Sequence, residues 1–346
     1  MKRITLIVVA MMMAMYCMAQ GSLVVTLSNQ SKVKVFEGNT ALKMALKEAS
    51  NGDVISLSSG IFLADTITKN ITLRGMGLSE CTDSANVHGA TFITGTMKIN
   101  ISENETGKFR MEGVYLQDSL QILTKLNNPM FEKCRFHRVR CMDDGVLNHA
   151  NFLHCRIADS FLILENSSVY MSNCIVNNPA NASYTGSSFE FSHCIVFCNY
   201  RWSMSNEQTY YYFGSVENSI YTNSILMGRD YIPTNCTATY CVGSHLYVNE
   251  NIFRDLSETA RNTDWYLGYR NCIVSISYSD TDQYTLSDAN KAKYIGSDGT
   301  EVGIHGGSLP FDENPIRPRI LDVTVSKATS SNGYLPVIIH AKDATY

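Results

Sequence analysis

Between Phe131 and Cys198 the apolar and polar positions recur as one short phrase. Phe131-Glu132-Lys133-Cys134-Arg135-Phe136 returns as Phe152-Leu153-His154-Cys155-Arg156-Ile157. It returns again as Met171-Ser172-Asn173-Cys174-Ile175-Val176 and as Phe191-Ser192-His193-Cys194-Ile195-Val196. The cysteines at 134, 155, 174 and 194 stand 21, 19 and 20 residues apart. A fixed period of this length predicts a stack of one repeated supersecondary unit. With the cysteine counted as zero, positions zero and +2 are apolar and share one strand face. Positions −3 and −5 are mostly apolar too, as in Phe152 with Ala150 and Phe191 with Phe189. Their parity relative to zero is opposite, so a straight strand cannot bury both sets and the chain must bend between them. The residue at −1 is Lys133, His154, Asn173 or His193. Asn and His are among the non-glycine residues that enter the left-handed region most readily. Each phrase therefore reads as two short strands joined by a corner, which is one side of a parallel β-helix coil. Val114 continues the series upstream. Ser224 and Cys272 continue it downstream, after gaps of 30 and 48 residues. The longer gaps predict an inserted loop and one coil whose phrase is not visible.

Outside the repeat, segments 23–27 and 32–36 read as strands. Asn39 reads as an N-cap. Ala41, Leu42, Ala45, Leu46 and Ala49 follow at helical spacing, and Asn51-Gly52 ends the helix. Such a helix serves as a lid over the open end of a coil stack, which would otherwise expose an apolar disc and unpaired strand edges. Residues 78–107 are irregular, and the period fails at 199–214 and again at 228–268. Segment 296–319 is rich in turn residues and proline. Segments 320–326 and 334–341 flank Asn332-Gly333 as a terminal hairpin. Ile175, Ile195, Ile225 and Ile273, at position +1, face away from the coil interior. A bare aliphatic row of this kind calls for a flap or a partner to cover it.

Lys2 and Arg3, an apolar run over 4–16 and small residues at Cys17 and Ala19 give residues 1–19 the form of a secretory signal peptide. The run is too short for a membrane span. Lipidation at Cys17 is disfavoured by the bulky Tyr16 beside it. Of 11 cysteines, 10 remain after cleavage. An oxidising compartment favours disulfides, but equivalent positions in successive coils point their Cβ atoms in parallel, which suits the bond poorly. The repeat cysteines therefore read as buried thiols. Cys81, Cys198, Cys236 and Cys241 lie off that row and are left as candidates for pairing. A net charge of −4 with 17% charged residues gives no pull toward nucleic acid. No segment beyond the leader is apolar and long enough to span a membrane, and the oligomeric state is left open.

Two phrases carry a family resemblance. The run Gly52-Asp53-Val54-Ile55-Ser56-Leu57-Ser58-Ser59-Gly60-Ile61-Phe62, followed by Asn70-Ile71-Thr72-Leu73-Arg74-Gly75-Met76-Gly77, resembles the entry segment of the pectin lyase-like superfamily. Gly299-Thr300-Glu301-Val302-Gly303-Ile304-His305-Gly306-Gly307-Ser308, then a Pro-rich turn and a hairpin, resembles the closing segment of exported β-helix proteins of Gram-negative bacteria. The resemblance implies an all-β fold: a single right-handed parallel β-helix over 20–296 with an N-terminal capping helix. Residues 297–346 then form a loop and β-hairpin, as a cap or a small tail module. It also implies export to the periplasm, the outer surface or the medium. The superfamily holds lyases, hydrolases and adhesins, so it does not fix an activity.

The residues themselves give little chemistry. Asp143-Asp144-Gly145, beside His137, Arg138 and Arg140, reads as a polar turn between coils. His154 and His193 are separated by the coil bearing Asn173, which places them about 9.6 Å apart, too far to share one metal ion. They read as hydrogen-bonding corner residues, and no metal or cofactor is expected. Aromatic side chains with a polar edge suit sugar stacking. Trp202, Tyr210, Tyr211, Tyr212, Trp265 and Tyr266, where the period fails, are the candidate ligand-binding residues. The expectation is an exported non-catalytic protein that binds a polysaccharide or cell-surface glycan or has a structural role. The alternative is a polysaccharide lyase or glycoside hydrolase acting on acidic polysaccharide, with its site near 133–144.

Overall fold

The computed structural model describes residues 23–29, 32–78, 81–83, 86–88, 90–102, 106–181, 186–198, 218–228, 236–244, 278, 284–286, 288–313, 319–325 and 337–342. Parallel strands stack in register into a parallel β-helix. One sheet carries the strands before the corner, from Val54–Leu57 through Met130–Glu132 and Ala150–Leu153 to Thr237–Thr239. The second carries the strands after it, including Arg135–Cys141, Arg156–Leu162 and Ile175–Asn177, and ends at Val242–Ser244. A short third pairing, Leu126–Asn127 with Leu147–Asn148, lies on the remaining side.

The bend inferred from parity is a left-handed residue. Lys133, His154, Asn173, His193 and Asn223 have φ of 50°, 52°, 48°, 51° and 51°. The single left-handed step lets both flanking strands point their apolar residues into the same lumen. Phe131 lies opposite Phe152, Phe152 opposite Met171, and Phe191 opposite Tyr221 in neighbouring coils. The rings of Phe131 and Phe152 stack at 4.4 Å, and those of Phe191 and Tyr221 at 4.9 Å. These rows are fully or almost fully buried.

The cysteines form the thiol row expected of them. Cys134, Cys155, Cys174 and Cys194 are reduced and have no solvent exposure. The Cys174 thiol donates to the Ser172 carbonyl at 3.2 Å, and the Cys155 N–H donates to Cys174 Sγ at 3.3 Å. Burial pushes the thiols of Cys134, Cys155 and Cys174 well above their ordinary range. Cys241 joins this row rather than standing apart from it. Ile225 pairs with Val242, which puts Cys241 at position zero of the next coil, with Tyr240 left-handed at φ 53° before it. Its thiol is free and buried, pushed up to about 12 by burial. This is the coil without a visible phrase. Cys236 is buried too. The side chains of Cys81 and Cys198, residues 1–19 and the Cys272 phrase lie outside the described residues.

The N-terminal helix spans Ala41–Glu48, with Ala41, Leu42, Ala45 and Leu46 buried in the main core. Its N-cap is Thr40, not Asn39, and no side chain caps it. The Ala41 N–H is instead taken by the Gly38 carbonyl at 3.0 Å, so a backbone turn does what the Asn39 side chain was expected to do. At the far end of the chain, Arg319–Val325 and Val337–Lys342 form the antiparallel hairpin. No described helix is long and apolar enough to cross a membrane.

Candidate functional site

Two features occupy the outside of the corner: a basic strand face, and a strap of residues 294–313 beside it. The strand Arg135–Cys141 turns Phe136, Val139 and Cys141 into the lumen. An irregularity in register between Phe136 and Arg138 leaves both His137 and Arg138 partly exposed, along with Arg135 and Arg140. Four basic side chains from one strand thus share the outer face. The Arg135 guanidinium lies 4.5 Å above the Tyr115 ring of the preceding coil, a cation–π contact. Arg138 pairs with Asp159 of the next coil at 2.5 Å and keeps 42% of its side chain exposed. Gln121 and Lys98 stand in register with Arg140 on the two preceding coils.

The strap runs along the corner row in the direction opposite to coil order. At its start, the Asn223 side-chain carbonyl accepts from the Ser297 N–H at 2.8 Å. His193 Nε2 lies 3.0 Å from an Asp298 carboxylate oxygen. Burial pushes the Asp298 carboxyl up, but hydrogen bonds from the Thr300 N–H and hydroxyl, together with His193, outweigh it and hold it below the usual range. Asn173 donates both amide hydrogens to strap carbonyls, Ile304 at 2.9 Å and Gly306 at 2.8 Å. His154 Nε2 lies 3.0 Å from the Leu309 carbonyl. Lys133 closes the series on Asp312 at 2.9 Å, and the buried Arg156 meets Glu313 while its guanidinium sits 5.1 Å above the Phe311 ring. Gly306 is required where the strap crosses His193. A Cβ there would fall 1.7 Å from the Glu301 carbonyl oxygen and 2.7 Å from the imidazole.

The aliphatic row at +1 has its cover. Ile175, Ile195 and Ile225 pack with Phe197 under Tyr284, Leu286, Tyr294, Val302 and Ile304, forming a second apolar cluster outside the lumen. The described cover thus comes from 284–304, with Tyr278 and Phe311 packed at its margins. Ile273 lies outside the described residues.

All six aromatic candidates, Trp202, Tyr210, Tyr211, Tyr212, Trp265 and Tyr266, lie outside the described residues. Asp143 and Asp144 form an exposed turn after the basic strand, Asp143 with φ 50°, as the polar-turn reading holds. His154 and His193 are corner residues with separate strap partners. Among the described residues, no group of three or more His, Cys, Asp or Glu is arranged to hold a metal ion. The basic face lies within 133–144, the stretch the sequence offered as a site only for the enzymatic alternative and not for glycan binding. Its signal was present as four basic residues in Arg135-Phe136-His137-Arg138-Val139-Arg140, with Phe136 and Val139 turned inward. Compared with known proteins, the chain matches no family model, no curated protein and no solved structure.

Proposed function

We propose that this chain is an exported, non-catalytic parallel β-helix protein that holds an anionic polysaccharide or cell-surface glycan against the outer face at Tyr115, Arg135, His137, Arg138 and Arg140. The observation that carries the reading is the Arg135 guanidinium over the Tyr115 ring beside three further basic side chains of one strand. Planar guanidinium groups bind carboxylate and sulfate oxygens through paired N–H donors, and the Tyr115 ring, set between the Phe92 ring at 5.3 Å and Arg135, positions that guanidinium. Apart from the exposed turn pair Asp143 and Asp144, which stand side by side in sequence, the carboxylates beside this face suit holding better than turnover. Asp159, Asp312 and Glu313 are each engaged by a cation, at Arg138, Lys133 and Arg156. An inverting hydrolase needs two carboxyl groups facing one sugar bond, one of them available as an acid.

The test is binding of polygalacturonate and of a neutral glucan at two salt concentrations. The acidic polymer should bind, weaken with salt, and lose about tenfold in affinity in Arg138→Gln/Arg140→Gln with the melting temperature unchanged. Equal binding of the neutral polymer would overturn the anionic assignment. A rise in ultraviolet absorbance from unsaturated uronides would overturn the non-catalytic one.

A further inference from the structure

The strap's last turn is fastened by a histidine that has room for one proton only. The Leu309 carbonyl can only accept, so His154 Nε2 carries the hydrogen at their 3.0 Å contact. Nδ1 is therefore the lone-pair nitrogen. It is buried, with no hydrogen-bond partner among the described residues. A second proton would place an N–H where nothing accepts it, together with a positive charge one rung from Lys133. The acidic groups facing this ring are Glu132 of the preceding coil and Asp312 of the strap. Asp312 is held by Lys133 at 2.9 Å, and Glu132 by Arg110. Beyond the Phe311 ring, which meets the imidazole edge-on, Arg156 and Glu313 pair with each other. Asn173, on the next rung, is neutral and donates both amide hydrogens to the strap.

We infer that 309–313 is an acid-released latch: a protonated His154 must bring its Nδ1–H to water, which opens the packing against Phe311, and the strap end lifts off Lys133 and Arg156. Burial, with Lys133 adding to it, holds the His154 imidazole below its ordinary value, against the opposing pull of the Leu309 carbonyl, Glu132 and Asp312. The docked state therefore binds fewer protons than the undocked state. Docking is complete above about pH 6.5 and is lost as pH falls through the lowered value. Release uncovers two cations next to Arg135, so the latch controls how much positive charge the outer face presents. That consequence does not depend on what the face binds.

Hydrogen exchange read by mass spectrometry on the full chain tests the latch. After correction for intrinsic rates, peptides covering 303–313 should exchange about tenfold faster at about pH 5 than at about pH 7.5. Lumen peptides over 130–176 should stay protected at both. In His154→Asn, which tolerates the left-handed corner and does not titrate, the step should vanish. A step that persists in that variant, or a wild-type strap equally protected at both pH values, overturns the proposal. The wild-type imidazole titration read by NMR gives a second arm. Its midpoint should fall below about 6.5 and coincide with the exchange step, and a separate midpoint also overturns it.

Discussion

Position zero and position −1 are neighbours in every coil, yet they obey different rules. At zero the chain repeats one residue type. Cys134, Cys155, Cys174, Cys194 and Cys241 line the lumen, with Val114 before them and Ser224 between the last two, its hydroxyl bonded to the Thr222 carbonyl at 2.8 Å. At −1 the residues share a backbone conformation and little else. Lys133 meets a carboxylate, His154 a carbonyl, Asn173 two carbonyls, His193 a carboxylate, and Asn223 a backbone N–H. A row that packs on copies of itself can be uniform. A row that packs on a non-repeating strap must differ at each rung. Variation within a regular repeat therefore marks where a solenoid meets something other than itself.

The largest effect that separates the two rows should come from the lumen. Phe152→Ala removes a ring packed on Phe131, Phe136 and Phe161 and should cost about 3–5 kcal/mol in urea unfolding. The strap and the coils should be lost together in that variant. Next is Asn173→Ala, which takes the amide donor from the buried Gly306 carbonyl, leaves the Ile304 carbonyl with the Phe311 N–H alone, and puts alanine at φ 48°. A loss of about 2–3 kcal/mol is expected, with faster exchange confined to the strap. Equal loosening of the lumen would show that the rows are not separable. The smallest structural disturbance, and the sharpest contrast in reactivity, is thiol labelling. With Cys141 and Cys241 pushed up to about 12 by burial, and the repeat thiols fully buried, the described cysteines should resist iodoacetamide at neutral pH until denaturant is added.

The coil, its corner and the capping helix were legible because each rests on short-range parity and spacing. The −1 residues stand one apart from the cysteines in every phrase, and the left-handed preference of Asn and His is a local property. The Cys241 coil escaped because Ala238 replaces the aromatic or methionine at −3, Tyr240 replaces the usual corner residue, and the spacing from Ser224 is 17. The strap escaped for a different reason. Asn173 and Gly306 are 133 residues apart, and three of the groups the ladder recognises are backbone carbonyls, which every residue carries. The +1 isoleucines did announce that something covers them, since outward aliphatic rows need burial, but not which segment does so. The basic face was written plainly in 135–140, although the adjacent Asp143-Asp144 drew attention to a turn instead.

The central claim is that 294–313 lies along the corner row, and zero-length carbodiimide crosslinking tests it most directly. Lys133 Nζ and the Asp312 carboxylate stand 2.9 Å apart across 179 residues of sequence. Mass spectrometry of the digested full chain should recover an amide bond between these two side chains at neutral pH, and Asp312→Asn should abolish it. Crosslinks from Asp312 to other lysines with none to Lys133, under conditions where Lys34 and Glu48 at 2.5 Å do join, would contradict the account.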